Sequence, residues 1–334
     1  MQIISDVQEE FWWSVAEQCP YATFFHTPLW MKIACETNDD FENQTIGAEF
    51  SNGTRVVFPL LKTSDVYAFR ILQSTYAGCY GGPIADGNLP EGEFNKFLDQ
   101  FYNWRTGRIS LLENPLVTDE YPTFDVLPKW NGEEYFTQII ELNSDYEDIY
   151  SNFSKDRRYG VRKARDSDIS VRIASSLEDY ESYFKAYQDS LERWDDVSSR
   201  YYWQLFRMIH KLSGEYSENI KLWVTEVDGQ LATGALIFYW NDHVVNWHAA
   251  SYSEYLNLYP NDLLHAKIIE NSISSNYGYY DFNPSGGHEG VIEFKRGFGP
   301  DHWNINKLSF EGGVFEKAKR LKNQISSIPP IKIN

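Results

Sequence analysis

The stretch DFNPSGGHEGVIEFKRGFGP, residues 281–300, holds the side chains best suited to chemistry. Pro284, Gly286 and Gly287 are turn formers that end a strand and reverse the chain. Turn chemistry does not call for the adjacent cations Lys295 and Arg296. One reaction that a fixed cation serves is aminolysis of an ester, which develops an oxyanion on the carbonyl and a positive charge on the attacking amine. A fixed ammonium beside that carbonyl stabilises the oxyanion, by about 3 kcal/mol on the scale of a single oxyanion donor. Lys295 is the candidate for that role. Asp281, closing the apolar run YGYYDF, could take the amine's proton if burial raises its pKa, or act electrostatically. It could equally cap the following loop. The forked donors of Arg296 suit a phosphate or carboxylate, but Glu293 and Asp281 are alternative ion-pair partners for both cations. Asn261 and Asn283 could hydrogen-bond a peptide substrate, and both also suit capping.

Other candidates are more dispersed. His243 and His248 stand five residues apart in an expected strand, which puts them on opposite faces. The seven histidines show no metal-ligand spacing, so no metal is expected. There is neither a Gly-x-Ser-x-Gly elbow nor a reactive-cysteine signature, leaving a covalent enzyme intermediate unsupported. Tyr80, Gly81 and Gly82 could let a substrate backbone approach closely, or simply form a turn. Arg158 and Arg162, four apart on a basic helix, share a face open to phosphates or to solvent. A C-terminal helix with Val314, Phe315, Ala318, Leu321 and Ile325 on one side could touch an anionic membrane or dock on the protein.

The whole chain constrains what these residues can serve. Its 334 residues exceed the usual single core, and 42% apolar with 23% charged residues describe an ordinary globular protein. Aromatic residues make up 16%, enough to line clefts as well as cores. Residues 1–150 hold 24 acids against 8 bases, a net of −16; residues 151–334 hold 24 against 22, a net of −2. Such an acidic first half repels polyanions and argues against a DNA-binding protein. Two local basic zones remain: FSKDRRYGVRKARDSDISVR (153–172), with seven bases against three acids, and the run from Lys295 onward, with eight against three. Three cysteines without close spacing, an acidic N-terminus and no long apolar stretch predict a cytoplasmic chain without a transmembrane segment.

The positioning elements alternate in an α/β rhythm of mixed strands and helices, with a boundary near residue 143 giving domains 1–143 and 144–334. In the second domain the helical run SDYEDIYSNFSKDRRYGVRKAR leads to strand ISVRIA and to helices at 177–192 and 198–213. Strands NIKLWVTEV and QLATGALIFYW flank Asp-Gly, a tight hairpin signal. HVVNWHAAS is a further strand, and PNDLLHAKIIENSISSN is a helix opened by proline. Strand GYYDF, the turn-rich segment above, strand NINKLSF and a terminal helix complete the order.

That order is similar to the GNAT acyltransferase fold, and the first domain resembles a shorter variant of it. Two GNAT-like domains in tandem resemble the FemABX family of peptidyl transferases. The matching segments are ATFFHTPLWMKI (22–33), YAGCYGGPIA (76–85), FSKDRRYGVRKA (153–164), YPNDLLHAKIIENSISSNYGYYDFNPSGG (259–287) and FKRGFG (294–299). Their combination and order carry the resemblance; no single one does. It implies transfer of an amino acid from aminoacyl-tRNA to a side-chain amine of a peptidoglycan precursor, and it places a functional lysine at Lys295. The long coiled-coil arm of some members is missing, which weakens the tRNA assignment. GNAT enzymes hold coenzyme A on a glycine-bearing loop at a helix N-terminus. The corresponding ASYSEYLNLYPNDLLHAK contains no glycine, so acetyl-CoA ranks below aminoacyl-tRNA as donor and no bound cofactor is expected.

Three functional classes follow. The first is aminoacyl or related acyl transfer to an amine of a peptide-like or cell-wall precursor, with at most peripheral membrane contact. The second is a coenzyme-A-dependent N-acyltransferase with an unusual donor loop. The third is a non-catalytic binding protein on the same fold.

Overall fold

The computed structural model describes residues 1–66, 68–101, 106–117, 130–193 and 201–326. The chain forms two compact units, Met1–Tyr135 with Ile305–Asn334, and Phe136–Asn304. The single cut expected near residue 143 is therefore replaced by two. The reason lies in the strand Asp301–Glu311, whose residues Lys307–Glu311 pair antiparallel with Arg108–Leu112 of the first unit. The terminal helix Gly313–Ser326 follows that strand into the first unit, where Phe315 packs edge-on against Phe69 at 5.3 Å. It is not an appendage of the second domain. Leu321 and Ile325 have side chains outside the described residues.

The first unit carries a small antiparallel sheet of Gln2–Ile4, Ile46–Glu49, Arg55–Phe58 and Ile84–Ala85, plus a mixed sheet centred on Thr106–Glu113. Phe58, Phe94, Phe97 and Ile109 form its core, each essentially inaccessible to solvent.

In the second unit the elements are β1 (Asn131–Glu141, from Phe136 onward), α1 (Tyr146–Ser151), α2 (Lys155–Arg165), β2 (Ser170–Ala174), α3 (Leu177–Arg193) and α4 (Trp203–Ser213). They continue with β3 (Ile220–Val227), β4 (Gln230–Trp240), β5 (His243–Ser251), α5 (Pro260–Ser274), β6 (Tyr279–Asp281) and α6 (Glu289–Arg296). The strand order is β2-β3-β4-β5-β6-β1. Asp228 and Gly229, both at positive φ, make the tight β3–β4 turn that the Asp-Gly pair signals. All neighbours are antiparallel except β5 and β6, which the α5 crossover makes parallel. Helices cover both faces. Ile237, Tyr239, Val244 and Tyr280 pack with Leu263, Leu264 and Ile268 of α5, while Tyr183 of α3 and Phe206 of α4 pack on the other face against His248. The fold is thus mixed α/β, GNAT-like, with sheets flanked by helices.

Two details matter for the site. β5 and β6 pair only over His243–Val245 with Tyr279–Asp281, so β6 ends where β5 still has six residues to run. The β4–β5 ladder also contains a bulge: Asn246 pairs with Ile237, but His248 pairs with Leu236. The extra residue restores even spacing between His243, opposite Trp240, and His248, opposite Leu236. The two histidines therefore share a face, correcting the expectation from their five-residue separation.

Candidate active site around Lys295

Lys295 lies on the last turn of α6, a short helix inside the turn-rich segment, and is 7% exposed. Its Nζ donates to the Asn283 carbonyl at 2.6 Å. Burial strips water from the ammonium and pushes its pKa down from 10.5 to about 7, against the opposing pull of Asp281. A lysine near neutrality can accept a proton as well as donate one.

Asp281, at the end of β6, is wholly buried. Its Oδ1 accepts from Thr137 Oγ1 at 2.8 Å and from the Asn283 amide at 2.7 Å; its Oδ2 lies 3.0 Å from His243 Nε2. Three partners leave this carboxylate well engaged, so it holds the segment after β6 and supplies a negative field. Asn283 adopts φ 58°, a left-handed conformation that asparagine tolerates. That turn directs its amide to Asp281 and its carbonyl to Lys295.

Phe294 and Phe298 pack around His265 of α5, which is held neutral, its pKa lowered to about 3 by burial and then by Lys295 and Arg157. Its Nδ1 meets the Tyr280 hydroxyl at 2.8 Å. Arg296 points outward and pairs with Glu293 on the exposed helix surface. Gly297 makes room for Arg157 of α2: a Cβ there would lie 2.7 Å from Arg157 Cγ. Arg157 stacks 4.8 Å from the Phe294 ring centroid and donates to Asp262 in the first turn of α5. Asp262 is 2% exposed, and burial raises its pKa to about 6 even with Arg157 beside it. Gly160 of α2 admits that carboxylate, since a Cβ would lie 1.8 Å from Asp262 Oδ2.

The remaining candidates fall elsewhere. His248 sits among Tyr183, Tyr187, Tyr201 and Phe206, with Nδ1 bonded to the Tyr183 hydroxyl at 2.5 Å. Burial lowers its pKa to about 3, so it is a neutral, packed histidine. Asn261 Oδ1 accepts from Thr233 and Ser251 hydroxyls at 2.5 and 3.0 Å, joining the start of α5 to the ends of β4 and β5. Arg158 donates to the Ser151 carbonyl at 2.8 Å, and Arg162 is exposed; both face away from buried Gly160, Val161 and Ala164. Tyr80, Gly81 and Gly82 belong to the first unit, where the Gly82 amide donates to Ser74 Oγ at 2.7 Å and buried Tyr80 packs on Phe25. The structure thus gathers Lys295, Asp281 and Asn283. To these it adds Thr137, His243, His265, Arg157 and Asp262, which residue types alone did not single out as a site. A glycine inside an otherwise basic helix, Gly160, was the available signal for Asp262.

Residues 151–296 match the family model described as Acetyltransferase (GNAT) domain, which places a GNAT-type domain within the second unit. Among solved structures the chain is similar to FemX, at 13% identity, covering 96% of this chain and 99% of that one with a TM-score of 0.76. A conserved protein of unknown function from Bacteroides thetaiotaomicron gives 11% identity, 93% and 100% coverage and a TM-score of 0.62. L-PGS from Bacillus licheniformis gives 10%, 84% and 89%, and 0.54. At these identities the structures establish a shared, FemX-like fold. No curated protein matches the sequence. No helix among the described residues is long and apolar enough to cross a membrane.

Proposed function

We propose that the chain transfers an activated acyl group, foremost an aminoacyl group from aminoacyl-tRNA, to an amine of a peptide-like or cell-wall precursor without coenzyme A. The observation that carries this reading is Lys295, enclosed beside Asp281 and shifted to near neutrality. Neutral Lys295 accepts the proton that the attacking amine releases as the C–N bond forms. The resulting ammonium stabilises the oxyanion and then protonates the leaving oxygen as the ester C–O bond breaks. Asp281 is a positioning residue in this scheme, because its oxygens are committed to Thr137, Asn283 and His243. Arg158 and Arg162 are the surface cations available to a phosphate-bearing donor, and a tRNA donor puts the reaction in the cytoplasm.

The start of α5 supports a donor other than coenzyme A. Pro260 has no amide hydrogen, and the amides of Asp262 and Leu263 already donate to the Tyr259 carbonyl at 3.1 and 3.4 Å. The Asp262 carboxylate adds negative charge where a pyrophosphate needs bare amides. The acetyltransferase family match favours a second reading, an acyl-CoA donor held differently.

A paired binding titration separates them. Acyl-CoAs form one arm and a mixed aminoacyl-tRNA pool the other, each at two salt concentrations and repeated with Lys295→Ala. Salt-sensitive tRNA binding without a CoA response is the expected result, followed by product formation that Lys295→Ala slows about 10²- to 10³-fold. Micromolar CoA binding makes the second reading the leading one.

A further inference from the structure

Arg157 and Asp262 take no part in the scheme above, yet they are built into the wall behind Lys295 at evident steric cost. We infer that the Arg157–Asp262 ion pair is a positioning device that fixes the last turn of α6 and so sets the place and solvent shielding of Lys295. This inference rests on the proposed role of Lys295 as the proton carrier.

Three elements meet at the pair. Arg157 comes from α2, Asp262 from α5, and the guanidinium lies over Phe294, the residue preceding Lys295. The backbone is tied at the same place, for the Ser154 amide, at the cap of α2, donates to the Gly297 carbonyl at 2.8 Å. Two glycines are spent on the arrangement. Gly160 lets the Asp262 carboxylate lie against α2, and Gly297 lets the Arg157 stem pass α6. A surface ion pair needs neither. A lysine would satisfy the charge of Asp262, but only a flat guanidinium both pairs with it and stacks on the Phe294 face. The Asp262 side chain is 2% exposed, so its partner is held in one geometry.

The charged and titratable groups around Lys295 decide how the test is read. Asp281 faces it from β6 and His265 from α5; Arg157 acts on His265 from α2; Glu293 and Arg296 pair on the outer side of α6 itself. Deleting Arg157 alone removes a positive charge and would raise the Lys295 pKa by Coulomb's law without any loss of position. The informative variants therefore conserve charge. Arg157→Met with Asp262→Leu removes both charges and keeps apolar volume. Arg157→Lys keeps the cation and removes the stacking plate.

The measurement is an NMR titration of lysine ε-carbons in the full chain, with the Lys295 signal assigned by its loss in Lys295→Met. In the double variant its midpoint is expected to rise by a unit or more as water reaches Nζ. A one-unit rise lowers the neutral fraction at pH 7 about fivefold. Arg157→Lys is expected to shift it the same way by less, and turnover in both should fall through kcat with KM nearly unchanged. An unmoved midpoint in a folded double variant overturns the inference. Should the double variant not fold, an unmoved midpoint in Arg157→Lys does so. A wild-type midpoint near 10.5 is a different failure: it removes the proposed role of Lys295 itself.

Discussion

Two glycine-rich segments, GCYGGP in the first unit and FKRGFG in the second, are made of similar materials and enclose different things. Each has a glycine that contact forbids from carrying a side chain: a Cβ on Gly81 would lie 2.6 Å from the Ser74 side chain, and one on Gly297 2.7 Å from Arg157. Each buries an aromatic residue completely, Tyr80 in one and Phe298 in the other. In the first, the contents are neutral: Ser74 Oγ accepts from Gly82 and donates to the Pro59 carbonyl, and Thr75 Oγ1 donates to the Cys79 carbonyl. In the second, buried Lys295, Asp262 and Asp281 and partly buried Arg157 converge from four elements, α6, α5, β6 and α2. Glycines thus report close packing in both, and only the enclosed charge distinguishes a site from a turn. Burying charge costs stability, so a protein that does it at one segment and avoids it at the other points to where its chemistry lies.

The sharpest break of this comparison is Lys295→Ala. Transfer should fall about 10²- to 10³-fold, the scale of one lost electrostatic donor. Tyr80→Phe, which removes only a hydroxyl in the first unit, should leave the rate within a few-fold when the folded fraction is matched. Steady-state rates on purified variants check both, and equal losses would erase the distinction between the segments.

Stability against pH gives the next effect. The Lys295 pKa is depressed on folding, so between about 7 and 10.5 the unfolded chain binds more protons than the folded one. The cost of enclosing the ammonium is therefore fully present below pH 7 and fades as pH rises toward 10.5. Lys295→Met should be more stable than wild type at pH 6, by roughly 1–3 kcal/mol after relaxation, with the difference shrinking at pH 9. Denaturant melts at the two pH values test this. A difference independent of pH would mean that methionine packing, not charge, is responsible.

Gly81→Ala and Gly297→Ala form a matched pair. Each forces a methyl into a neighbour and should cost about 1–3 kcal/mol. Only Gly297→Ala should also lower transfer by folded protein, because it displaces Arg157 beneath Phe294.

How far these differences were legible in the sequence follows the same physics. Local signals sufficed for the α/β rhythm, the Asp228-Gly229 hairpin and proline-opened α5, since each is a matter of period or turn residues; Lys295 stood out only as an unexplained cation in a family-like segment, and its burial is what the structure adds. The return of the chain to the first unit from Ile305 onward was not legible, because a strand's partner is a long-range choice. Nor was the bulge that turns His243 toward the face of His248, because one inserted residue leaves no compositional mark. Asp262 looked like an ordinary first-turn acid; what sets it apart is Arg157, 105 residues away in sequence.

The smallest effect concerns the cation beside Lys295. Arg296 and Glu293 stand three apart on α6 with side chains 61% and 52% exposed. Solvent screens such a pair and side-chain entropy opposes it, so Arg296→Ala should change stability by no more than about 0.5 kcal/mol. If Arg296 instead grips a phosphate of the donor, KM for that donor should rise, and more steeply at low salt, with kcat unaltered. Measuring KM at two ionic strengths distinguishes the two. An unchanged KM leaves Lys295 as the one cation of the segment whose environment differs from that of an ordinary surface residue, as its enclosure by Phe294, Asn283 and Asp281 implies.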